Sequence, residues 1–156
     1  MYDYASQMFH VGHLVPDLEA AMDQLGSSLG LTWTQVVERE GQRVWTPEHG
    51  QRRVPLRFAY SMEGPQRLEL IEGVEGTPWW YGDVENRHHA GAWADVPTLT
   101  EDLLAKGWTL LCSQVSPEEG YGSFSYVRSP SGFLLEPVTH ANKPRMERWF
   151  AGGPLE

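Results

Sequence analysis

Four residues could share one piece of chemistry: His10, Glu69, His89 and Glu136. His10 lies in the run Phe9–Leu14, which alternates like a strand and puts His10, Gly12 and Leu14 on one face. The pattern His-x-Gly returns at His89–Gly91. Each histidine run is followed downstream by a strand-like run that carries a glutamate, Glu69 in Arg67–Ile71 and Glu136 in Phe133–Val138. Both glutamates sit among apolar neighbours, and a buried carboxylate without a partner is costly. A divalent cation held by two imidazoles and two carboxylates would satisfy all four groups. That mixed set suits Zn, Mn, Fe, Co or Ni better than calcium, which prefers oxygen alone. Taken singly, each of the four also fits an ordinary core or surface residue; the matched order His–Glu, His–Glu favours the joint site. The neighbouring His13 and His88 fall on the opposite strand face and point away from it.

The elements that must position these residues follow the same doubled order. After the first strand, Asp17 can cap a helix whose apolar stripe is Leu18, Ala21, Met22, Leu25 and Leu29. Strands are expected over 32–38, 44–45, 54–60 and 67–71, with a turn at Gly41 and a loop over 47–53. Residues 73–87 connect the halves. In the second half a strand over 89–94 leads to a helix capped by Thr98 with Glu101 three residues on. Strands over 108–114, 123–128 and 133–138 follow. The tail holds a short helix over 146–150. The reading is a single α+β domain, 1–156, of two tandem βαβββ modules (about 8–73 and 88–138, joined by 74–87, with a tail over 139–156). Together they form a U-shaped, cleft-enclosing, mostly antiparallel sheet with one helix on the outer face of each module. The connection carries Trp79, Trp80 and Tyr81, which either pack on the core or an interface, or line a pocket for an apolar or aromatic substrate.

Composition narrows the function classes. The 156 residues suffice for one core, and the net charge of −9 disfavours nucleic acid and anionic membranes as partners. A lone cysteine, Cys112, leaves no Cys-rich zinc site and reads as core packing. There is no basic-then-apolar leader and no stretch long enough to span a bilayer, so a cytoplasmic soluble protein is the expectation. No Ser/His/Asp nucleophile signature and no glycine-rich phosphate loop is present.

The phrases His10–Leu18, Leu68–Glu72, His88–Gly91 and Ser129–Glu136 together resemble the vicinal oxygen chelate superfamily, in particular its glyoxalase-like and methylmalonyl-CoA epimerase-like branch. The resemblance runs from about Met8 to Val138. It implies metal ligands at His10, Glu69, His89 and Glu136, on the first and last strands of each module. It also implies a small-molecule substrate that meets the metal through one or two oxygens, with a nearby carboxylate moving a proton. Glu136 could serve as that carboxylate, and Glu48, in Pro47–Gly50, resembles the loop position that supplies an acid/base group in the epimerase branch. Family members build the site within one chain or across a pair, and a homodimer is the expected state. Three functions fit. The first is an isomerase, epimerase or lyase acting on a small carbonyl compound through an enolate-like intermediate. The second is an iron-dependent, extradiol-type dioxygenase of a phenolic substrate, for which Glu69 would be a surplus fourth ligand. The third is a non-enzymatic binder of an apolar or aromatic molecule.

Overall fold

The computed structural model describes residues 1–155. A short helix α1 (Tyr4–Gln7) leads into β1 (Met8–Leu14), α2 (Leu18–Leu29), β2 (Val37–Thr46), β3 (Gly50–Tyr60) and β4 (Arg67–Gly73). The chain continues with β5 (His88–Ala94), α3 (Val96–Ala105), β6 (Thr109–Ser113), β7 (Ser125–Arg128), β8 (Leu134–Thr139) and α4 (Lys143–Phe150). Strands dominate, and they form one sheet in the order β1-β4-β3-β2-β6-β7-β8-β5 that curves until β5 meets β1. The expected U-shaped, cleft-enclosing sheet is thus closed into a barrel. Closure at the far side is slight: β2 meets β6 only at Trp45 and Ser113. The β1–β4 and β5–β8 pairings are parallel and the rest antiparallel.

Strand alternation sorts residues between the inside of the barrel and the helices outside. On β4, Leu70 packs with Leu18 and Val15, against Ala21, Met22 and Leu25 of α2, while Ile71 joins Leu14, Val44, Leu56 and Leu134 inside. Across the molecule, Leu135 and Val127 meet Leu99 of α3, with Leu103 and Leu104 partly buried beside them. Asp17 caps α2 by accepting from the Ala20 amide, and Gly30 ends it with φ 69°, a conformation open to glycine. α3 starts earlier than Thr98. Asp95 is its cap and accepts from the Thr98 amide, with proline tolerated in the first turn. Cys112 is buried in the inner core, as its apolar strand suggested.

The largest local departure is β2. The expected strand over 32–38 is irregular up to Val36, and the expected turn at Gly41 is a bulge in a continuous strand. Arg39 pairs with Leu56 and Gln42 with Val54, so three steps on β2 oppose two on β3. That extra residue reverses the alternation and turns Arg39 and Gln42 to the same side. α4 closes one end of the barrel: Met146, Trp149 and Phe150 pack with Phe9, Tyr60, Trp93 and Val138. It begins at Lys143, before the expected residue 146, because a proline fits its first turn. No helix among the described residues is long and apolar enough to cross a membrane.

Candidate metal centre

His10, Glu69, His89 and Glu136 stand on four adjacent strands, β1, β4, β5 and β8. Register explains how they meet. Gly12 lies between Glu69 on β4 and His89 on β5, and Gly91 lies between His10 on β1 and Glu136 on β8. The sheet therefore carries two neighbouring rungs, each with a glycine flanked by an imidazole and a carboxylate. Each imidazole lies across the glycine beside it. A Cβ on Gly91 would fall 1.9 Å from Cε1 of His10, and one on Gly12 would fall 1.9 Å from Cε1 of His89. Only glycine leaves the imidazole room to reach over the rung.

The donor atoms converge within this one chain. His10 Nε2 is 3.2 Å from Oε1 of Glu69 and 3.2 Å from Oε1 of Glu136. His89 Nε2 is 3.5 Å from Glu69 Oε1 and 3.2 Å from Glu136 Oε1, and the two Nε2 atoms are 3.0 Å apart. Donors about 2.1 Å from a common ion would stand roughly 3.0–3.4 Å from one another in octahedral or tetrahedral array. The five separations above, 3.0–3.5 Å, are close to that spacing. His10, His89 and Glu69 are buried, and Oε1 of Glu69 is shielded from solvent without a hydrogen-bond partner. A cation among the four donors would satisfy that oxygen. The residues fit a divalent metal ion.

Electrostatics agree with a site built for positive charge. Burial alone would push the His10 imidazole down, but Glu69 and Glu136 overcome it and raise its pKa to about 9. Burial likewise opposes ionisation of Glu69, yet His10 and His89 bring that carboxyl down to about 2. In the metal-free protein the proton on His10 substitutes for a cation. His10 titrates near 6.5 when unfolded and near 9 when folded, so its stabilisation is complete below 6.5 and lost as pH rises through 9. A bound metal would reverse the dependence, because bound imidazole must be unprotonated. The metal-free protein is therefore expected to melt at a lower temperature at pH 9 than at pH 6.5. Saturating Zn should remove that loss, and calorimetry of Zn binding at pH 7 in buffers of different ionisation enthalpy should show about one proton released.

The centre forms the floor of a cavity of about 330 Å³ inside the barrel. Its walls are aromatic: Phe58, Tyr60, Trp79, Phe124, Tyr126 and Trp149. Tyr60 packs edge-on against His10 at 5.4 Å between ring centres, and Tyr126 does the same to His89 at 4.9 Å. Burial, then the nearby carboxylates, keep both phenols protonated. Trp79 donates from its indole N–H to the Tyr126 hydroxyl at 3.2 Å.

Other expected site residues are placed differently. Trp79 lines the cavity, but Trp80 and Tyr81 do not; Tyr81 lies under the Arg87 guanidinium, 3.8 Å from ring centre to Cζ. The connection turns after Trp79, so only the first of the three aromatics reaches inside. Glu48 does not face the centre. Its side chain is 86% exposed at the β2–β3 turn, in an outer groove with His49 and Arg52. The extension of β2 and β3 carries this turn beyond the cavity. His13 and His88 stack on each other at 4.7 Å, on the strand face opposite the centre. Tyr60, Tyr126, Arg39 and Arg145 line the cavity without having been singled out. For Tyr60 the signal lies in its pairing opposite Glu69, which only the β3–β4 register reveals.

Residues 9–126 match the model of the Glyoxalase/Bleomycin resistance protein/Dioxygenase superfamily, the vicinal oxygen chelate proteins. The chain belongs to that superfamily. Comparison with curated proteins by sequence found no match. Solved structures share the fold. Methylmalonyl-CoA epimerase from Mycobacterium tuberculosis has a TM-score of 0.60 at 15% identity, over 92% of this chain and 94% of its own. A variant of the Streptomyces coelicolor epimerase in complex with 2-nitronate-propionyl-CoA has 0.60 at 20%, over 86% and 94%. A methylmalonyl-CoA epimerase in complex with methylmalonyl-CoA and ammonium has 0.59 at 21%, again over 86% and 94%.

Proposed function

We propose that the protein is a metal-dependent isomerase or epimerase, with lyase chemistry on the same intermediate as its nearest variant. It acts on a small carbonyl compound and moves a proton on the carbon beside the carbonyl. The observation that carries this reading is the convergence of two imidazoles and two carboxylates, 3.0–3.5 Å apart, on the floor of an aromatic cavity. His10, Glu69, His89 and Glu136 would hold a divalent ion, which when bound would supply Lewis-acid stabilisation to negative charge on a substrate oxygen. Glu136 is the more open carboxylate, 12% exposed in its side chain against 9% for Glu69, and it borders the cavity. Glu69 borders the cavity as well, and the slightly greater exposure of Glu136 supports it as the group that takes and returns the proton. Tyr60 and Tyr126, kept protonated, offer O–H groups toward a substrate oxygen. The aromatic walls exclude water and hold an apolar body. The relatives crystallised with acyl-CoA ligands support carbonyl chemistry on this fold.

Elemental analysis of protein purified without chelator tests the centre, and one ion per chain is expected. Glu136→Gln should lower that content and abolish exchange of the C2 proton of methylmalonyl-CoA, or of simpler 2-substituted carbonyl acids, with deuterated water. Failure of the wild-type protein to take up any of Zn, Mn, Fe, Co or Ni would sink the reading and leave the non-enzymatic binder.

A further inference from the structure

We propose that Arg39 and Arg145 form an anion clamp at the mouth of the cavity, so that the substrate carries a carboxylate or phosphoryl oxyanion at the end remote from the metal. This rests on the metal-centre reading above and adds the substrate class.

The two arginines come from distant elements, β2 and α4, yet both line the cavity whose floor holds Glu69 and Glu136. Their charges are close enough to oppose one another: burial, then Arg145, favours the uncharged form of Arg39. In a chain of net charge −9, carboxylates are plentiful. Arg57 shows the usual outcome, held by Glu19, Glu38 and Glu72. Among the described residues, no ion pair engages Arg39 or Arg145, and Nε of Arg145 is shielded from solvent without a hydrogen-bond partner. Arg39 is exposed and Arg145 half-buried, so the pair is open to an anion from solvent, and two like charges lining one cavity with no ion-pair partner among the described residues favour an anion between them. Gln42 and Asn142 line the cavity with them and can add amide donors. The β2 bulge aims Arg39 and Gln42 inward together, which a regular strand would not do.

The geometry also bounds the ligand. The Arg39 guanidinium lies 5.7 Å above the Phe58 ring. Phe58 is two residues along β3 from Tyr60, which pairs with Glu69, so the ring beneath the Arg39 guanidinium and the ring beside the floor are about 7 Å apart along the strand. The ligand is a compact organic anion with a flat apolar body between its oxyanion and its metal-facing oxygens.

Two ring hydroxamates test the clamp, because a hydroxamate presents two adjacent oxygens to a metal. Benzohydroxamate lacks a second anionic group, and 4-carboxybenzohydroxamate has one across the ring; the 4-phosphono analogue separates phosphoryl from carboxylate. Calorimetry on Zn-loaded protein, with Zn content measured on the same samples, should show one of the charged probes binding about tenfold tighter than benzohydroxamate. Arg39→Gln and Arg145→Gln should each remove that advantage while leaving benzohydroxamate affinity within about twofold. An arginine with only a structural role would weaken both kinds of probe together, which overturns the clamp. Equal binding of charged and uncharged probes by the wild-type protein also overturns it, while the metal centre stands. No Zn uptake overturns the centre and the clamp together.

Discussion

A His10→Ala variant is expected to lose metal affinity by at least about 100-fold, beyond what loss of an outer partner costs. His10 is wholly buried and touches both carboxylates at 3.2 Å. Its removal takes away one ligand directly. It also removes the charge that does most to bring the Glu69 carboxyl down to about 2, so that burial then drives this carboxyl toward its neutral form. A neutral carboxyl is a poor ligand, and the variant thereby damages a second position. In the metal-free state the same change leaves one buried and one half-buried carboxylate with only His89 between them. Breaking a buried ion pair in this way costs about 3–5 kcal/mol. Metal content by elemental analysis and melting temperature without metal should both fall. Undiminished metal in the variant would remove His10 from the ligand set.

Gly91→Ala should reproduce the metal loss from outside the ligand set. The added methyl would sit 1.9 Å from Cε1 of His10, far inside any tolerated contact. The imidazole cannot swing aside freely, because Phe9 packs on it at 4.5 Å and Tyr60 at 5.4 Å between ring centres. Either β1 and β5 separate or His10 leaves the floor, and such overpacking costs about 1–3 kcal/mol or more. The reciprocal Gly12→Ala should act the same way through His89. Gly41→Ala is the control, since its Cβ would meet Arg53 at an ordinary 3.6 Å. The double variant His10→Ala/Gly91→Ala separates collision from a general glycine effect. With the imidazole gone, Gly91→Ala should cost little further stability, while metal stays lost. Additive losses in the double variant would show that the glycine acts through the backbone and not through His10.

The legible parts of this chain are those where alternation on a regular strand is the whole of the information. His10, Glu69, His89 and Glu136 are readable together because each sits on a short regular run with a defined inner face, and because the runs repeat. Leu68 and Leu70 against α2, and His13 and His88 outside, follow from the same parity. The reading fails where alternation is interrupted. The run Glu38–Arg43 is polar on both faces and shows no period, so the bulge that turns Arg39 and Gln42 inward leaves no local trace. Glu48 and the Trp79–Tyr81 run lie where the chain turns, and nothing local to those residues says which side chain will reach the cavity.

By itself, then, the sequence put four candidate donors on the inner faces of their strands, because strand parity and side-chain chemistry are local properties. It also implied that a carboxylate buried there needs a partner. Tertiary structure alone decided the rest. Closure of the sheet turned a cleft into a cavity, register put each glycine beneath the opposite imidazole, and the packing of α4 brought Arg145 to the mouth that Arg39 lines. Those are relations between residues far apart in the chain, set by pairing and packing across the whole barrel, and no single stretch carries them.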